Sequence, residues 1–267
     1  MYYIDVHSHV FPHNIAAKVV SELENYYGYH WAGTGEIDDL LVSMEAAGPG
    51  RAVIFSSATK AEQVESINNF LAASAKQHPD RFIGFGTMHP DYDRKAAEID
   101  RLIKLGLRGL KFHPDFQRFN IDDPAMMEIY EIVGDRIPMI FHVGDPVADF
   151  SSPARLRRVI DRYPQLRVIA AHMGGFRCWD EAEKYLIGRN LWMDISSTIF
   201  HVGGERTAEL ARRHGLDRVL FATDYPAQHH CETIADVLSL GFTGEENEMI
   251  FFRNAEKLLG LPPSPAC

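Results

Sequence analysis

Two histidines separated by one residue follow the first apolar run of the chain, in the segment YYIDVHSHVFP (2–12). The run indicates a short strand. Because alternate side chains of a strand point to the same side, His7 and His9 are expected to share a face. Imidazole is the commonest metal ligand in proteins. Histidines at a strand end are also often only polar residues at the rim of the fold. The prediction of a metal site therefore depends on further ligands elsewhere in the chain.

More histidines and one aspartate follow later β-rich runs in the same way. His113 follows LRGLKF, His142 lies in IPMIFHV, His172 ends LRVIAAH, and Asp224 follows DRVLFAT. Only 13 of the 267 residues are histidine, and a random placement would rarely mark so many strand ends. A catalytic divalent ion takes three or four N or O ligands and keeps one position open for water. We therefore predict one divalent ion, zinc before manganese, bound by His7, His9, His142 and Asp224.

Asp224 and His172 are the predicted catalytic residues. Asp224 either supplies an anionic oxygen to the ion or acts as the base for a water bound to it. His172, on the adjacent strand, either binds a second ion, polarises the substrate or moves a proton. The residues alone leave these roles open.

Eight short β-rich runs alternate with amphipathic stretches of helical periodicity. The runs are YYIDV (2–6), RAVIF (51–55), RFIGFG (81–86), LRGLKF (107–112), IPMIFHV (137–143), LRVIAAH (166–172), LWMDIS (191–196) and DRVLFAT (217–223). Helices are expected over 61–78 and 152–164, the second capped by Ser152 with Pro153 in its first turn. This alternation predicts parallel strands joined by right-handed crossovers, and a (β/α)₈ TIM barrel is the simplest closed arrangement.

An open doubly wound sheet is the alternative architecture, but the glycine-rich turn expected after its first strand is absent. No repeat or linker suggests a second unit, so residues 1–267 are expected to form one domain. The segment GEENEMIFFRNAEKLLGL (244–261) predicts a closing helix on the outside of the barrel. Its apolar part, MIFFRN (249–254), suggests an exposed flank and a homodimer contact.

Composition limits the partners of the chain. A formal net charge of −10 disfavours nucleic acid and anionic membranes, and leaves a small molecule as the expected partner. The three cysteines, Cys178, Cys231 and Cys267, form neither a disulfide framework nor a metal-binding pair, which is typical of a cytoplasmic protein. No leader or membrane-spanning run is recognisable, and the prolines at 262, 263 and 265 predict a frayed tail.

Five sequence elements carry a resemblance to a known family: DVHSHVFP, GLKFHP, FHVGDP, AAHMGG and FATDYP, in this order over nearly the whole chain. Together they resemble the amidohydrolase superfamily. The closer match is its amidohydrolase 2 branch, which includes aminocarboxymuconate semialdehyde decarboxylase and related metal-dependent hydrolases. The resemblance implies a (β/α)₈ barrel holding a divalent metal, usually zinc.

The resemblance also implies a role for each matching position. His7 and His9 match the first-strand ligands, His142 the fifth-strand ligand and Asp224 the eighth-strand aspartate. His172 matches a sixth-strand histidine that binds a second metal in binuclear members and activates the substrate in mononuclear ones. A carboxylated lysine on strand four often bridges two ions in binuclear members, and Lys111 is the residue available here. Lys111 lies deeper than the rim, so a single ion is the preferred prediction.

Three residues are predicted to bind substrate: Lys111, His113 and Arg177. His113 equally suits a strand-capping role before Pro114. Asp145 either orients a ligand histidine or only forms a turn before proline. The aromatic segment YYGYHWAGTG (26–35) either forms a lid over an apolar substrate or packs on neighbouring helices, and His201 is expected at the rim.

Three functions remain open from the sequence. The leading hypothesis is metal-assisted hydrolysis of an amide, ester or lactone of a small molecule. The second is non-oxidative decarboxylation of an aromatic or unsaturated carboxylic acid at the same site. The third, a non-catalytic metal or ligand-binding protein on a barrel scaffold, is disfavoured because every expected ligand position is filled.

Overall fold

The computed structural model describes residues 1–264, so Cys267 and the last proline of the predicted frayed tail lie outside it. Nine strand segments occur in this range: β1 (Tyr3–His9), β2 (Gly50–Phe55), β3 (Phe82–Gly84), β4 (Gly86–Thr87), β5 (Leu110–Phe112), β6 (Met139–Phe141), β7 (Val168–Ala170), β8 (Trp192–Asp194) and β9 (Val219–Leu220). All neighbouring pairs are parallel, in the orders β1-β2-β3 and β4-β5-β6-β7-β8-β9. The predicted runs correspond to these strands in order.

The two rows of strands join at Phe85, inside the run predicted as one strand. The amide of Phe85 donates to the carbonyl of Ile54 on β2 at 3.0 Å, whereas the amide of Gly86 donates to the carbonyl of Gly109 beside β5 at 2.8 Å. The third strand of the barrel therefore changes hydrogen-bonding partner at a single residue. This switch divides the predicted strand 81–86 into β3 and β4 without opening the barrel.

The chain closes on itself between β1 and the segment after β9. The amide of Val6 donates to the carbonyl of Phe221 at 3.1 Å, and the amide of His9 donates to that of Tyr225 at 2.7 Å. Ser8 and Tyr225 form a parallel bridge. These bonds complete the (β/α)₈ barrel, so the predicted fold class is confirmed and the open sheet is excluded.

Helices follow the strands and cover the barrel. They are α1 (His13–Tyr27), α2 (Ile37–Ala47), α3 (Val64–Gln77), α4 (Lys95–Lys104), α5 (Pro114–Gln117), α6 (Pro124–Val133), α7 (Pro153–Arg162), α8 (Trp179–Tyr185), α9 (Thr198–Val202), α10 (Gly204–His214), α11 (His230–Leu238), α12 (Gly244–Glu248) and α13 (Asn254–Leu259). Short 3₁₀ turns occur at Ala61–Gln63, His172–Gly174 and Leu216–Arg218. Among the described residues, no helix is long and apolar enough to span a bilayer.

The predicted capping of α7 differs in detail from the structure. Pro153 begins the helix as expected, but the side chain of Ser152 makes no capping hydrogen bond. Leu156, Val159 and Tyr163 of the predicted apolar stripe are buried, because α7 packs this side on the core. Burial of the stripe and the fixed φ of proline thus suffice to place this helix.

The closing helix over 244–261 is interrupted by a π-helical turn at Met249–Arg253. The carbonyl of Ile250 in this turn accepts a hydrogen bond from the amide of Phe221 at 2.9 Å, which ties the closing segment to the last strand. Phe251 and Phe252 are buried in the core. The expectation that MIFFRN is an exposed flank is therefore wrong, and the homodimer stays a prediction without this support.

Gly109 offers a test of packing at the switch between β3 and β4. A Cβ atom at this position would lie 2.4 Å from the ring of Phe85. We expect Gly109→Ala to lower the free energy of unfolding by about 1–3 kcal/mol, because overpacking forces the ring and backbone to shift. Urea unfolding followed by circular dichroism measures the change.

Gly244→Ala is the matched control, since a Cβ atom there meets nothing within 4 Å. Its expected effect is neutral or a stabilisation of up to about 1 kcal/mol through the unfolded state. Equal losses of stability in both variants would contradict the packing explanation.

Candidate functional site

Three of the predicted ligands converge at the closing seam of the barrel. Nε2 of His7 lies 3.1 Å from Nε2 of His9 and 3.1 Å from Oδ1 of Asp224, and Nε2 of His9 lies 3.7 Å from the same oxygen. Ligands about 2.0–2.2 Å from a tetrahedral ion would be roughly 3.3–3.6 Å apart. The expected shared face of His7 and His9 is present, and the three donor atoms have the spacing that one small cation requires.

Asp194, at the end of β8, sets the orientation of His7. Its Oδ2 lies 2.9 Å from Nδ1 of His7, and both side chains are fully buried. The ring therefore donates Nδ1–H to the carboxylate and directs the lone pair of Nε2 towards His9 and Asp224. Burial, with the nearby Lys111 ammonium, also holds the pKa of His7 well below its usual range. His7 is thus neutral, as a metal ligand must be.

His142 and His172 form a second contact beside this cluster. Nε2–H of His142 donates to the carbonyl of Gly144 at 2.9 Å, which leaves the lone pair on its Nδ1. That Nδ1 lies 3.1 Å from Nε2 of His172. Nδ1–H of His172 in turn donates to Oγ of Ser196 at 2.9 Å. Both facing nitrogens therefore carry lone pairs.

Two facing lone pairs at this distance repel each other unless a cation or a proton lies between them. The position of Lys111 also indicates that the site favours a positive charge. Its side chain is fully buried, and its ammonium donates to Nε2 of His7 at 3.1 Å. Burial lowers the pKa of Lys111 and raises that of Asp224. The donor set of neutral imidazoles and one carboxylate fits a divalent cation, which would replace the ammonium at His7.

Three residues around the cluster have left-handed backbone conformations. The φ angles are +58° at His172, +54° at Ser197 and +61° at Asp224. Residues with a Cβ atom rarely adopt this region, and such strain is concentrated at functional sites. Ser197 also donates to Oδ2 of Asp224 at 2.7 Å, which leaves Oδ1 facing the histidines. The backbone thus aims these side chains at the cost of local strain.

A cavity of about 650 Å³ lies over the cluster, with His9, His142, His172 and Asp224 in its lining. Eight aromatic residues are among those that line it: Phe11, Tyr26, Tyr27, Tyr29, Trp31, Phe70, Phe116 and Phe176. The predicted aromatic segment 26–35 contributes four of them. The cavity volume lies within the range of small-molecule sites.

Not all of the predicted substrate residues line the cavity. His113 lines the cavity, its ring stacked on that of His142 with centroids 4.0 Å apart, and its Nε2 lies 3.0 Å from the Tyr27 hydroxyl. Lys111 does not line the cavity, because it lies beneath the cluster against His7.

Arg177 is exposed and absent from the cavity lining, since its guanidinium donates to the carbonyl of Tyr27 and lies over Phe176. Its assignment as a substrate residue stays a prediction. His201 packs on Phe176 and likewise does not line the cavity.

Asp145 is a turn residue and does not orient a ligand histidine. Its Oδ1 accepts the amides of Val147 and Ala148, and its Oδ2 accepts the Tyr26 hydroxyl at 2.7 Å. Asp194, and not Asp145, orients a ligand histidine. The available signal was its position as the one carboxylate inside the run LWMDIS. Tyr27, which bonds His113, was also missed as an individual site residue.

Replacing Asp194 tests this orienting role. We expect Asp194→Asn to weaken divalent-metal binding about 10- to 100-fold, because the amide no longer fixes the tautomer of His7. Competition with a chelating dye measures the affinity. Asp145→Asn is the matched control, the same substitution at a carboxylate that bonds only the turn and Tyr26, and it should bind metal as the unchanged protein does. An undiminished affinity in Asp194→Asn would refute the role.

A family model described as amidohydrolase, of the amidohydrolase 2 type, matches residues 4–261. The fold is similar to that of an uncharacterised TIM-barrel protein from Bordetella bronchiseptica, with a TM-score of 0.80 and 22% identity over 97% of this chain and 99% of that chain.

Two decarboxylases also share the fold. For 2,6-dihydroxybenzoate decarboxylase from Rhizobium the TM-score is 0.74 at 18% identity, covering 97% of this chain and 99% of that chain. For 5-carboxyvanillate decarboxylase from Novosphingobium aromaticivorans, complexed with manganese and 4-hydroxy-3-methoxy-5-nitrobenzoic acid, it is 0.73 at 18% identity, covering 97% and 96%. At these identities the likeness establishes the barrel. Since the family model matches nearly the whole chain, the chain belongs to the amidohydrolase 2 branch of the amidohydrolase superfamily and is a metal-dependent enzyme.

Proposed function

We propose that this enzyme is a metal-dependent, non-oxidative decarboxylase of an aromatic carboxylic acid. The observation that carries the proposal is the aromatic cavity placed directly over the candidate metal cluster. Aromatic walls favour an aromatic ring through burial and edge-to-face contact. The decarboxylases of similar fold act on aromatic acids by their names, which agrees with this substrate class.

His7, His9, His142 and Asp224 are the residues that would hold the ion. Bound there, a divalent ion acts as a Lewis acid that orients the substrate oxygens and stabilises their negative charge. The cavity walls exclude water and hold the ring. Asp224 or His172, both facing the cavity, would take up the proton of the substrate's carboxyl group and deliver it to the carbon that bears this group. The carbon–carbon bond then breaks, CO₂ leaves, and the proton remains on the ring carbon in its place.

We further propose that the site holds a single ion, which is either manganese or the zinc expected from the sequence. The decarboxylase from Novosphingobium aromaticivorans is complexed with manganese. Lys111 is buried against His7 as an amine that donates to a ligand, which supports one ion over a carboxylated bridge between two.

Hydrolysis is the second candidate, because the carboxylate of Asp224 beside two imidazoles also suits activation of a water. One experiment separates the two reactions. Protein loaded with manganese or with zinc is incubated in D₂O with a panel of hydroxybenzoic acids and, separately, with aryl esters, lactones and amides. Decarboxylation releases CO₂ and leaves one deuterium on the ring. Turnover of the second panel with no CO₂ from the first would replace the proposal with hydrolysis.

A further inference from the structure

The cavity extends well beyond the metal cluster, between the helices α1 and α3. On α1 the apolar lining residues Ile15, Val19 and Leu23 recur at helical spacing, and the charged Lys18 and Glu22 line the cavity beside them. On the facing side they are Ile67 and Phe70 of α3. We call this part the α1–α3 groove. Ile15 to Leu23 spans about 12 Å along the helix axis, so the groove is longer than one aromatic ring.

The apolar residues of α1 that line the groove lie on a different side of the helix from those that pack on the core. The core-facing side is formed by Ala16, Val20 and Tyr27, which are buried. Ile15, by contrast, has 42% of its surface exposed. A helix needs only one apolar stripe to pack on its barrel. Val19 and Leu23 are partly buried, and Leu23 packs on the buried cluster that includes Tyr27 and Phe176. The exposed part of this second stripe is free to contact a ligand in the cavity that the metal-cluster residues also line.

The volume of the cavity agrees with a ligand larger than a single-ring acid. At the roughly 30 Å³ that one water takes in the liquid, the nine heavy atoms of benzoic acid would fill at most about 270 Å³. The cavity holds about 650 Å³. The difference leaves room for a further substituent, and the apolar side chains of the groove suit an alkyl or aryl chain.

We propose that the substrate is an aromatic acid with a long apolar substituent, and that this substituent lies in the α1–α3 groove while the acid group reaches the metal cluster. The proposal rests on the proposed function only for the acid group. The groove itself is defined by Ile15, Val19, Leu23, Ile67 and Phe70. Burial of each additional methylene there would strengthen binding by the hydrophobic effect.

Chain-length dependence of binding tests the proposal independently of turnover. The probes are 4-methyl-, 4-butyl- and 4-octylbenzoic acid, titrated calorimetrically into manganese-loaded and metal-free protein. We expect Kd to fall roughly two- to fourfold for each methylene that enters the groove, with and without the metal. Equal affinities for the three acids would overturn the proposal.

A charge placed in the groove provides the matched comparison. Ile15→Asp should remove most of the advantage of the octyl acid, about tenfold or more in Kd. Leu238→Asp on α11 is the control, because Leu238 is also 42% exposed and does not line the cavity. It should retain the full dependence on chain length.

Two further results have defined meanings. If the octyl acid binds tightly but no aromatic acid loses CO₂, the groove proposal stands and the proposed reaction fails. If sedimentation shows a dimer that Ile15→Asp converts to monomer, with no chain-length dependence in the unchanged protein, the groove is covered by a second copy and the proposal is overturned.

Discussion

Replacing His172 with asparagine is expected to abolish turnover while leaving the metal in place. His172 faces the cavity and contacts His142, but it is not part of the group formed by His7, His9 and Asp224; it forms a separate group with His7 and Asp194. Loss of a proton-transferring side chain typically lowers kcat about 10²- to 10⁴-fold. Steady-state kinetics on the best aromatic acid and elemental analysis of the same sample measure the two quantities.

His201→Asn is the control for this variant, because His201 packs on Phe176 and lies outside the cavity lining. It should retain turnover. If His172→Asn loses its metal together with its activity, His172 is a ligand and not a proton carrier. A protein that only stores or binds metal would show no turnover in the unchanged form.

The second large effect is expected from the double substitution His7→Ala, His9→Ala. The unchanged protein should carry about one manganese or zinc ion per chain, and the double variant should carry none after desalting. Its kcat should fall about a thousandfold or more, since a metal supplies several kcal/mol of charge stabilisation in the transition state. Elemental mass spectrometry on protein purified without added metal provides the count.

The double variant His13→Ala, His30→Ala is the matched control. Both imidazoles are about nine-tenths exposed and are not part of the buried cluster. This control should keep its metal. Near two ions per chain in the unchanged protein would restore Lys111 as a carboxylated bridge. No ion, even after incubation with manganese or zinc, would refute the metal site.

The sequence predicts the barrel well because its signals are local. Alternating apolar runs and helical stripes arise from burial, and polar residues at strand ends identify the catalytic face of a barrel. The placement of His7 and His9 on one face follows from strand geometry alone. Lys111 on β5 and His113 directly after it, two residues apart, are likewise both directed to the interior.

The features that sequence reasoning missed depend on partners distant in the chain. Asp194 acts on His7 across 187 positions, and no local pattern indicates that pairing. The change of partner at Phe85 depends on which backbone carbonyl each neighbouring strand offers. The guanidinium of Arg177 donates to the carbonyl of Tyr27, which is 150 positions away in the chain. Composition and spacing contain none of these contacts.

The closing seam also determines when the site comes into existence. His7 and His9 are synthesised more than two hundred positions before Asp224. Contacts of such high sequence separation form late, because the intervening loop must be closed first. A nascent chain therefore contains His7 and His9 without Asp224 until most of the barrel has been synthesised. An ion held by these residues would join β1 to the segment after β9 and stabilise only the fully closed barrel.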